Sequence, residues 1–249
     1  MDVYRKFNPF RGLFKLPDCK QSTLEKACGL FREDPFNGGE LINVYKEYVK
    51  HPDEEALRVL LLHNLEDIKG LLHILPILAV HDLLHCPVHV KKVHAGNYTD
   101  HTGATKAELL MELELPVTLP FPVTTMFKQC YCKADGSQAT IKIPIYTEEM
   151  KYFYPDYKEY YYLPDEDRAI HKSVSNFVSK ESRVPAIASN CYVRKTAYFL
   201  PQWEEIFSPC FVRNYKDKDL FFELTNEVKK DRAGFDNYAR HILSTILTS

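Results

Sequence analysis

The sequence predicts an α+β fold in which a helical N-terminal part precedes a smaller part built on an antiparallel sheet. Two observations predict it. Apolar residues recur at helical spacing up to about residue 85, whereas polar and apolar residues alternate in strand-like segments after residue 105. The stretch 89–105 is polar and rich in histidine, and its composition is typical of a boundary. We therefore expect two domains, over residues 1–88 and 106–249.

Local signals place the helices of the first part. Ser22 and Glu25 form an S-x-x-E capping box, which predicts the start of a short helix. A second helix is indicated by the apolar spacing over residues 41–49. Asp53 is a suitable N-cap for a long third helix, and Pro76 is expected to break that helix before residue 77.

The long third helix carries apolar side chains around most of its circumference. Those on its main face are Leu57, Leu60, Leu61, Leu71, Ile74, Leu75 and Leu78. A helix that is apolar nearly all round is expected to be buried. Because three or four helices cannot cover such a member by themselves, this pattern indicates that something large packs against it.

One polar notch interrupts this helix. His63 and Asp67 are four residues apart and therefore share a face, with Asn64 and Gly70 beside them. An ionised group without a partner is costly to bury, so the pair is expected to be hydrogen-bonded, liganded or catalytic. The alternative is a helix surface that reaches solvent for one turn, which the neighbouring Glu66 supports.

The second part has its own signals. Alternation predicts a strand over 108–115 and a β-hairpin over 125–146. Asp165 is expected to cap a helix, and a closing helix is predicted over 235–247. The apolar face of the helix after Asp165 would consist of Ile170, Val174, Phe177 and Val178.

Composition limits the classes of function. Lysine and arginine total 32 against 34 acidic residues, so bulk charge does not indicate a nucleic-acid-binding protein, although a local basic patch remains open. The longest uncharged apolar stretch, 70–80, is too short to span a bilayer. Seven cysteines without a C-x-x-C pair are typical of reduced thiols, so we expect a soluble cytoplasmic protein.

Two further constellations are candidate sites. His81, His85, Cys86 and His89 have a spacing that could hold zinc, although scattered surface histidines are the commoner explanation. The aromatic and basic run 151–172 could bind nucleic acid, with the bases stacking on tyrosines and the phosphates held by lysines. The candidate residues in that run are Tyr157, Tyr160 and Lys172. Core packing by amphipathic tyrosines is the alternative.

Two sequence segments carry a family resemblance. LFREDPFNGGELINVYKEYV, over residues 30–49, is followed by LRVLLLHNLEDIKGLLHILPIL, over residues 57–78. Together they resemble the C-terminal portion of predicted bacterial ribonuclease-H-like (DEDD-type) 3′-5′ exonucleases. The segment 151–178 and the following SNCYVRK are similar to the C-terminal tail of the clostridial versions of this family.

The resemblance implies roles for the polar notch. In this family, carboxylates from a D-x-E strand, from a second Asp motif and from a last helix hold two divalent metals, Mg²⁺ or Mn²⁺. On this match Asp67 is the last metal-binding carboxylate and His63 positions or deprotonates the attacking water. Asn64, in the same H-N-x-x-D element, becomes a candidate nucleic-acid contact.

The chain departs from the family pattern because it contains no earlier strand that carries D-x-E and no second Asp motif. One carboxylate cannot hold two such ions, so we expect no tight metal binding and no nuclease activity from this chain alone. The resemblance thus implies a truncated or split exonuclease, with a separately encoded N-terminal half as a possible partner and DNA or RNA as substrate. The alternative is a non-catalytic nucleic-acid or protein interaction module that uses the tyrosine-rich 151–172 region.

Overall fold

The N-terminal third of the chain is helical, as the sequence predicts. The structure, a computed structural model, describes residues 2–33, 36, 38–100 and 102–248. The helices of this third are α1 (Val3–Phe7), α2 (Gln21–Ala27), α3 (Gly38–Lys50), α4 (Glu54–Ile74) and α5 (Ala79–Leu83). The predicted caps and breaks of α4 are confirmed. Asp53 accepts a hydrogen bond from the backbone N–H of Ala56 at 2.9 Å, and a 3-10 turn over Leu75–Leu78 separates α4 from α5.

A five-stranded antiparallel sheet follows. Its strands are β1 (His89–Thr99), β2 (Thr105–Glu114), β3 (Val123–Phe127), β4 (Cys130–Asp135) and β5 (Gln138–Pro144), in the spatial order β1-β2-β5-β4-β3. The hairpin predicted over 125–146 is confirmed as β4 and β5. Residues 89–99, which the sequence places in a polar boundary, form β1, an edge strand without a fully buried side chain.

The remaining strands form two smaller antiparallel sheets, and a long helix closes the chain. The strands are β6 (Tyr146–Phe153), β7 (Tyr160–Leu163), β8 (Arg168–His171), β9 (Val184–Pro185), β10 (Tyr192–Gln202) and β11 (Leu220–Glu223). The spatial orders are β11-β10-β6 and β8-β7-β9. Helix α6 (Arg232–Thr248) packs against the five-stranded sheet and confirms the predicted closing helix.

The helix predicted after Asp165 is wrong. Residues Arg168–His171 form β8 and residues Lys172–Phe177 form a 3-10 helix. Strand pairing explains the difference, because Ile170 lies opposite Tyr161 in the β7–β8 ladder, while Phe177 is 90% exposed and covers no core. Tertiary pairing here overrides the helical spacing of four apolar residues.

One hydrophobic core joins the helical third to the sheet. It contains Phe7 and Ile77 from the N-terminal elements, Met111 and Ile141 from the sheet, and Tyr238 from α6. These side chains are fully buried. The fold class is therefore α+β, as predicted, and we retain the division into residues 1–88 and 106–249 as a proposal.

The predicted burial of α4 is wrong. Only Gly70 and Ile74 of this helix are buried. A continuous apolar stripe on α4 faces outward instead, and we call it the α4 stripe. It consists of Leu57 (38% exposed), Leu61 (59%), Leu65 (48%), Ile68 (57%) and Leu72 (63%). The spacing of these residues does predict a buried face, but the described residues contain no element that covers it.

In the part of the chain that the structure describes, no helix combines the length and the apolar character that a membrane crossing needs.

Candidate functional site

The polar notch of α4 faces the neighbouring helix α2, on a different side of α4 from the α4 stripe. His63 Nε2 lies 3.4 Å from Asp67 Oδ2, so the two residues share a helix face as their spacing predicts. Their side chains are 19% and 44% exposed, respectively. The pair is thus partly screened from water while remaining open to a ligand from one side.

A guanidinium group lies against the Asp67 carboxylate. Arg32 Nη1 is 2.6 Å from Asp67 Oδ1, while Arg32 Nε and Nη2 donate to the two carboxylate oxygens of Glu25 at 2.6 and 2.7 Å. The Glu25 side chain is only 1% exposed and that of Arg32 is 18% exposed. Arg32 therefore bridges a buried carboxylate on α2 and a half-exposed one on α4.

Gly70 makes this arrangement sterically possible. A Cβ atom at position 70 would lie 1.7 Å from Oε1 of Glu25, so only glycine lets the carboxylate approach α4 so closely. Gln21 completes the contact between the helices, because its Nε2 donates to Glu25 Oε1 at 2.9 Å and to the Asp67 backbone carbonyl at 2.7 Å. The notch is consequently one hydrogen-bonded network.

The predicted capping box of α2 is wrong because Glu25 takes part in this network. The N-cap of α2 is Lys20, and no side chain caps the helix. Glu25 turns toward Arg32 and Gln21 instead of the helix start, because a buried carboxylate is stabilised far more by a guanidinium than by one backbone N–H.

Glu25 and Arg32 both keep their charges at neutral pH. The hydrogen bonds from Arg32 lower the pKa of the Glu25 carboxyl against the opposing effect of burial, and Gln21 adds to that lowering. The hydrogen bonds to Glu25 raise the pKa of Arg32 in turn. Glu25 and Arg32 therefore form an ion pair in the partly closed space between α2 and α4.

A pocket of about 580 Å³ opens beside this network. His63, Asp67 and Arg32 line one part of it, and Lys26 and Phe31 line another. The Phe31 ring is 75% exposed. The pocket combines a cationic group, an imidazole and an exposed aromatic ring, which is a suitable set for a ligand with both charged and planar parts.

The donor set does not fit a two-metal centre. Among the described residues, no group of three or more His, Cys, Asp or Glu side chains could hold a metal ion. One oxygen of Asp67 is close to Arg32 and the other is close to His63, so this carboxylate is already compensated by protein groups. A divalent ion of the kind the resemblance implies would need further oxygen ligands and the displacement of Arg32.

The other sequence-predicted site residues are not part of the network around Asp67. Asn64 is exposed on α4 next to His63. Tyr157 and Tyr160 are half-buried and pack around Cys191, and the Tyr160 ring stacks on another tyrosine at 4.4 Å. Lys172 is exposed, with its Nζ 6.0 Å from the centroid of the Tyr161 ring.

The possible zinc constellation is not assembled. The rings of His81 and His85 lie 4.9 Å apart, but they belong to no ligand group of three or more in the described ranges. His89 lies instead beside Asp236 on α6, with Nδ1 3.4 Å from Oδ2. The commoner explanation, scattered surface histidines, agrees with this arrangement.

Comparison with protein families identifies the class of the N-terminal region. A family model described as belonging to the RNase H superfamily matches residues 1–79, the segment that contains Glu25, Arg32, His63 and Asp67. No curated protein matches the chain, and no solved structure does either. Residues 1–79 are therefore similar to the RNase H superfamily, and this similarity suggests a nuclease-like role in nucleic-acid processing.

Sequence reasoning missed Glu25, Arg32 and Gln21. The S-x-x-E pattern predicts a helix-cap role for Glu25, and Arg32 lies at the edge of a loop rich in helix-breaking residues. The available signal was Gly70, because an isolated glycine in an apolar helix indicates close approach of another group. The identity of that group depends on how α2 packs, which no local pattern specifies.

Proposed function

We propose that this chain is part of a nucleic-acid-processing protein of the 3′-5′ exonuclease type. His63 and Asp67 supply the chain's share of the catalytic site. The observation that carries the proposal is the network around Asp67, which lies at the edge of a pocket within the region that matches the RNase H superfamily. Asp67 contributes one carboxylate, and His63 is the group that positions or deprotonates a water molecule.

The remaining carboxylates come from a second polypeptide segment in this proposal. The described residues do not assemble a metal-ligand group, and superfamily members generally depend on divalent metals such as Mg²⁺ or Mn²⁺. The α4 stripe supports the same conclusion, because five leucine and isoleucine side chains in a row are expected to be covered by a partner. The partner is expected to bring both the missing carboxylates and the cover for the stripe.

The test measures cleavage of a 5′-labelled single strand in Mg²⁺ by the chain in complex with the segment that supplies the D-x-E and second Asp motifs. We expect shortening from the 3′ end with the unmodified chain and a loss of at least roughly a hundredfold with Asp67→Asn. Glu55→Gln, an exposed change on the same helix, is the matched control and should retain activity. Equal activity of the Asp67 and Asp67→Asn complexes would remove Asp67 from the mechanism.

His63→Gln separates the two proposed roles in the same assay. If His63 takes a proton from water, the variant should lose the acidic limb of the pH–rate profile as well as rate. Retention of both would assign His63 to the structure of the notch. Asn64, Tyr157, Tyr160 and Lys172 stay in the proposal as candidate nucleic-acid contacts, and their variants belong in a binding assay.

A further inference from the structure

A second cleft lies on the face of the five-stranded sheet opposite the hydrophobic core. It has a volume of about 760 Å³. Tyr98 of β1 and Lys106 of β2 lie opposite each other at one side, and Tyr131 of β4 lies opposite Lys142 of β5. Strand alternation separates these residues from core residues such as Ile141, which point to the other face.

Two lysines of this cleft form ion pairs in which the lysine side chain is more exposed than the carboxylate. Lys106 Nζ is 2.8 Å from Asp100 and Lys142 Nζ is 3.4 Å from Glu108. The lysine side chains are 53% and 41% exposed, whereas the two carboxylate side chains are 9% and 11% exposed. Lys133, also exposed, forms no ion pair among the described residues. Within the cleft, the three ammonium groups are therefore more exposed than the carboxylates of Asp100 and Glu108.

The aromatic rings of the cleft are available for stacking. Neither Tyr98 nor Tyr131 packs against another aromatic ring in the described part of the chain, whereas Tyr154 and Tyr160 stack on each other. Met126, which lies opposite Tyr131 in the β3–β4 ladder, is 67% exposed and adds an apolar side chain to the lining of the cleft. The combination of aromatic rings and ammonium groups on one sheet face suits a strand of planar bases joined by phosphates.

We propose that this cleft binds single-stranded nucleic acid. Bases stack on Tyr98 and Tyr131, and backbone phosphates pair with Lys106, Lys133 and Lys142. This inference rests on the proposed function, because it names the surface that holds the substrate strand of the same protein. The charge complementarity between the exposed ammonium groups and a phosphodiester backbone favours nucleic acid over a peptide as the occupant.

The proposed pairing of lysines with phosphates is tested with the full chain and fluorescein-labelled oligothymidylate and oligouridylate of about 12 nucleotides. Fluorescence anisotropy is measured over a salt series. We expect the double variant Lys133→Ala/Lys142→Ala to bind at least roughly tenfold more weakly, and the slope of log affinity against log salt to fall by about 1.4, or 0.7 per lost phosphate contact. Lys92→Ala, on the same sheet but outside the cleft, is the matched control and should bind as the unmodified chain does.

The stacking part is tested with Tyr131. Tyr131→Ala should weaken binding roughly tenfold, and Tyr131→Phe should retain it because the ring and not the hydroxyl provides the stacking surface. Tyr198→Ala, at a 58% exposed tyrosine outside the cleft, is the matched control. Thermal unfolding of each variant checks that the sheet is intact.

Several outcomes would overturn the proposal. They are absence of oligonucleotide binding by the unmodified chain, unchanged binding by the cleft variants, and binding of an unstructured peptide in place of the oligonucleotide. Loss of binding in a Tyr157→Ala/Lys172→Ala variant, with the cleft variants unaffected, would place the nucleic-acid-binding surface in the region 151–172 and not in the cleft. Failed cleavage by the complex, with oligonucleotide binding by the unmodified chain intact, counts only against the proposed function.

Discussion

Arg32 is the counter-ion of two carboxylates in the N-terminal region, Glu25 and Asp67. Glu25 is buried, and its charge is tolerated only because the guanidinium donates to both of its oxygens. The same guanidinium compensates Asp67, so the state of the proposed catalytic carboxylate depends on a residue two elements away. Any cation that approaches Asp67 competes with Arg32.

Replacing Arg32 by methionine tests the buried pair. Arg32→Met should lower the free energy of unfolding by about 3 kcal/mol, because Glu25 keeps its burial and loses its counter-ion. Urea denaturation followed by circular dichroism measures the change. Arg11→Met, at an exposed arginine, is the control and should change stability by less than about 0.5 kcal/mol.

The double variant Glu25→Gln/Arg32→Met should be more stable than Arg32→Met alone, since a neutral amide costs less to bury than an unpaired carboxylate. If Arg32→Met is as stable as Arg11→Met, the guanidinium does not compensate Glu25. The network would then be incidental to the fold.

At the scale of the element, α4 has two sides with opposite character. The side toward α2 carries the polar network, while the α4 stripe faces outward. This is the reverse of an ordinary surface helix, in which the apolar side faces the core. The arrangement leaves the proposed catalytic pair ordered by α2 and leaves the stripe free for a partner.

Substitutions in the α4 stripe should have little effect on the isolated chain. Leu61→Gln and Ile68→Gln should each change the free energy of unfolding by less than about 0.5 kcal/mol, because both side chains are already more than half exposed. Ile77→Ala, at a fully buried position, should cost about 3 kcal/mol. Urea denaturation compares the three variants.

Binding of a hydrophobic dye gives an independent readout of the same surface, and it should fall in Leu61→Gln/Ile68→Gln. A loss of stability in Leu61→Gln that matches that of Ile77→Ala would show that the stripe is already covered in this chain. In that case the stripe would offer no surface for a second polypeptide.

At the scale of the whole molecule, the helical third and the sheet share one core. Leu24 of α2, Met111 of β2 and Tyr238 of α6 belong to the same cluster of buried side chains. Proposed domains that share a core are expected to unfold together, because neither can expose its share without the other. The proposed division into residues 1–88 and 106–249 therefore describes how the sequence is organised, and we do not expect the two parts to be stable independently of each other.

Leu24→Ala tests this coupling. It should lower stability by about 3 kcal/mol, and the midpoint should move equally for far-ultraviolet circular dichroism and for fluorescence of Trp203, the single tryptophan, which packs against Phe127 of the sheet. Lys26→Ala, at an exposed position on the same helix, should move neither. A Trp203 transition that does not respond to Leu24→Ala would show two independent folding units.

The sequence by itself determined the elements whose signals are local. Periodicity and caps correctly predicted α4 with Asp53 at its start, the break at Pro76, the β4–β5 hairpin and α6. The pairing of His63 with Asp67 also followed from sequence, because a spacing of four on a helix is a purely local geometry.

Tertiary structure alone decided what each face of those elements meets. Burial of α4, the helix after Asp165 and the cap role of Glu25 were wrong because each depends on contacts that helical spacing does not specify: the cover of the α4 stripe, the β7 partner of Ile170, and Arg32. The cleft between Tyr98 and Tyr131 is a further example, since a surface made by five strands exists only after their register is set. Contacts of this kind are selected by packing and charge compensation across the whole chain, and no local pattern encodes them.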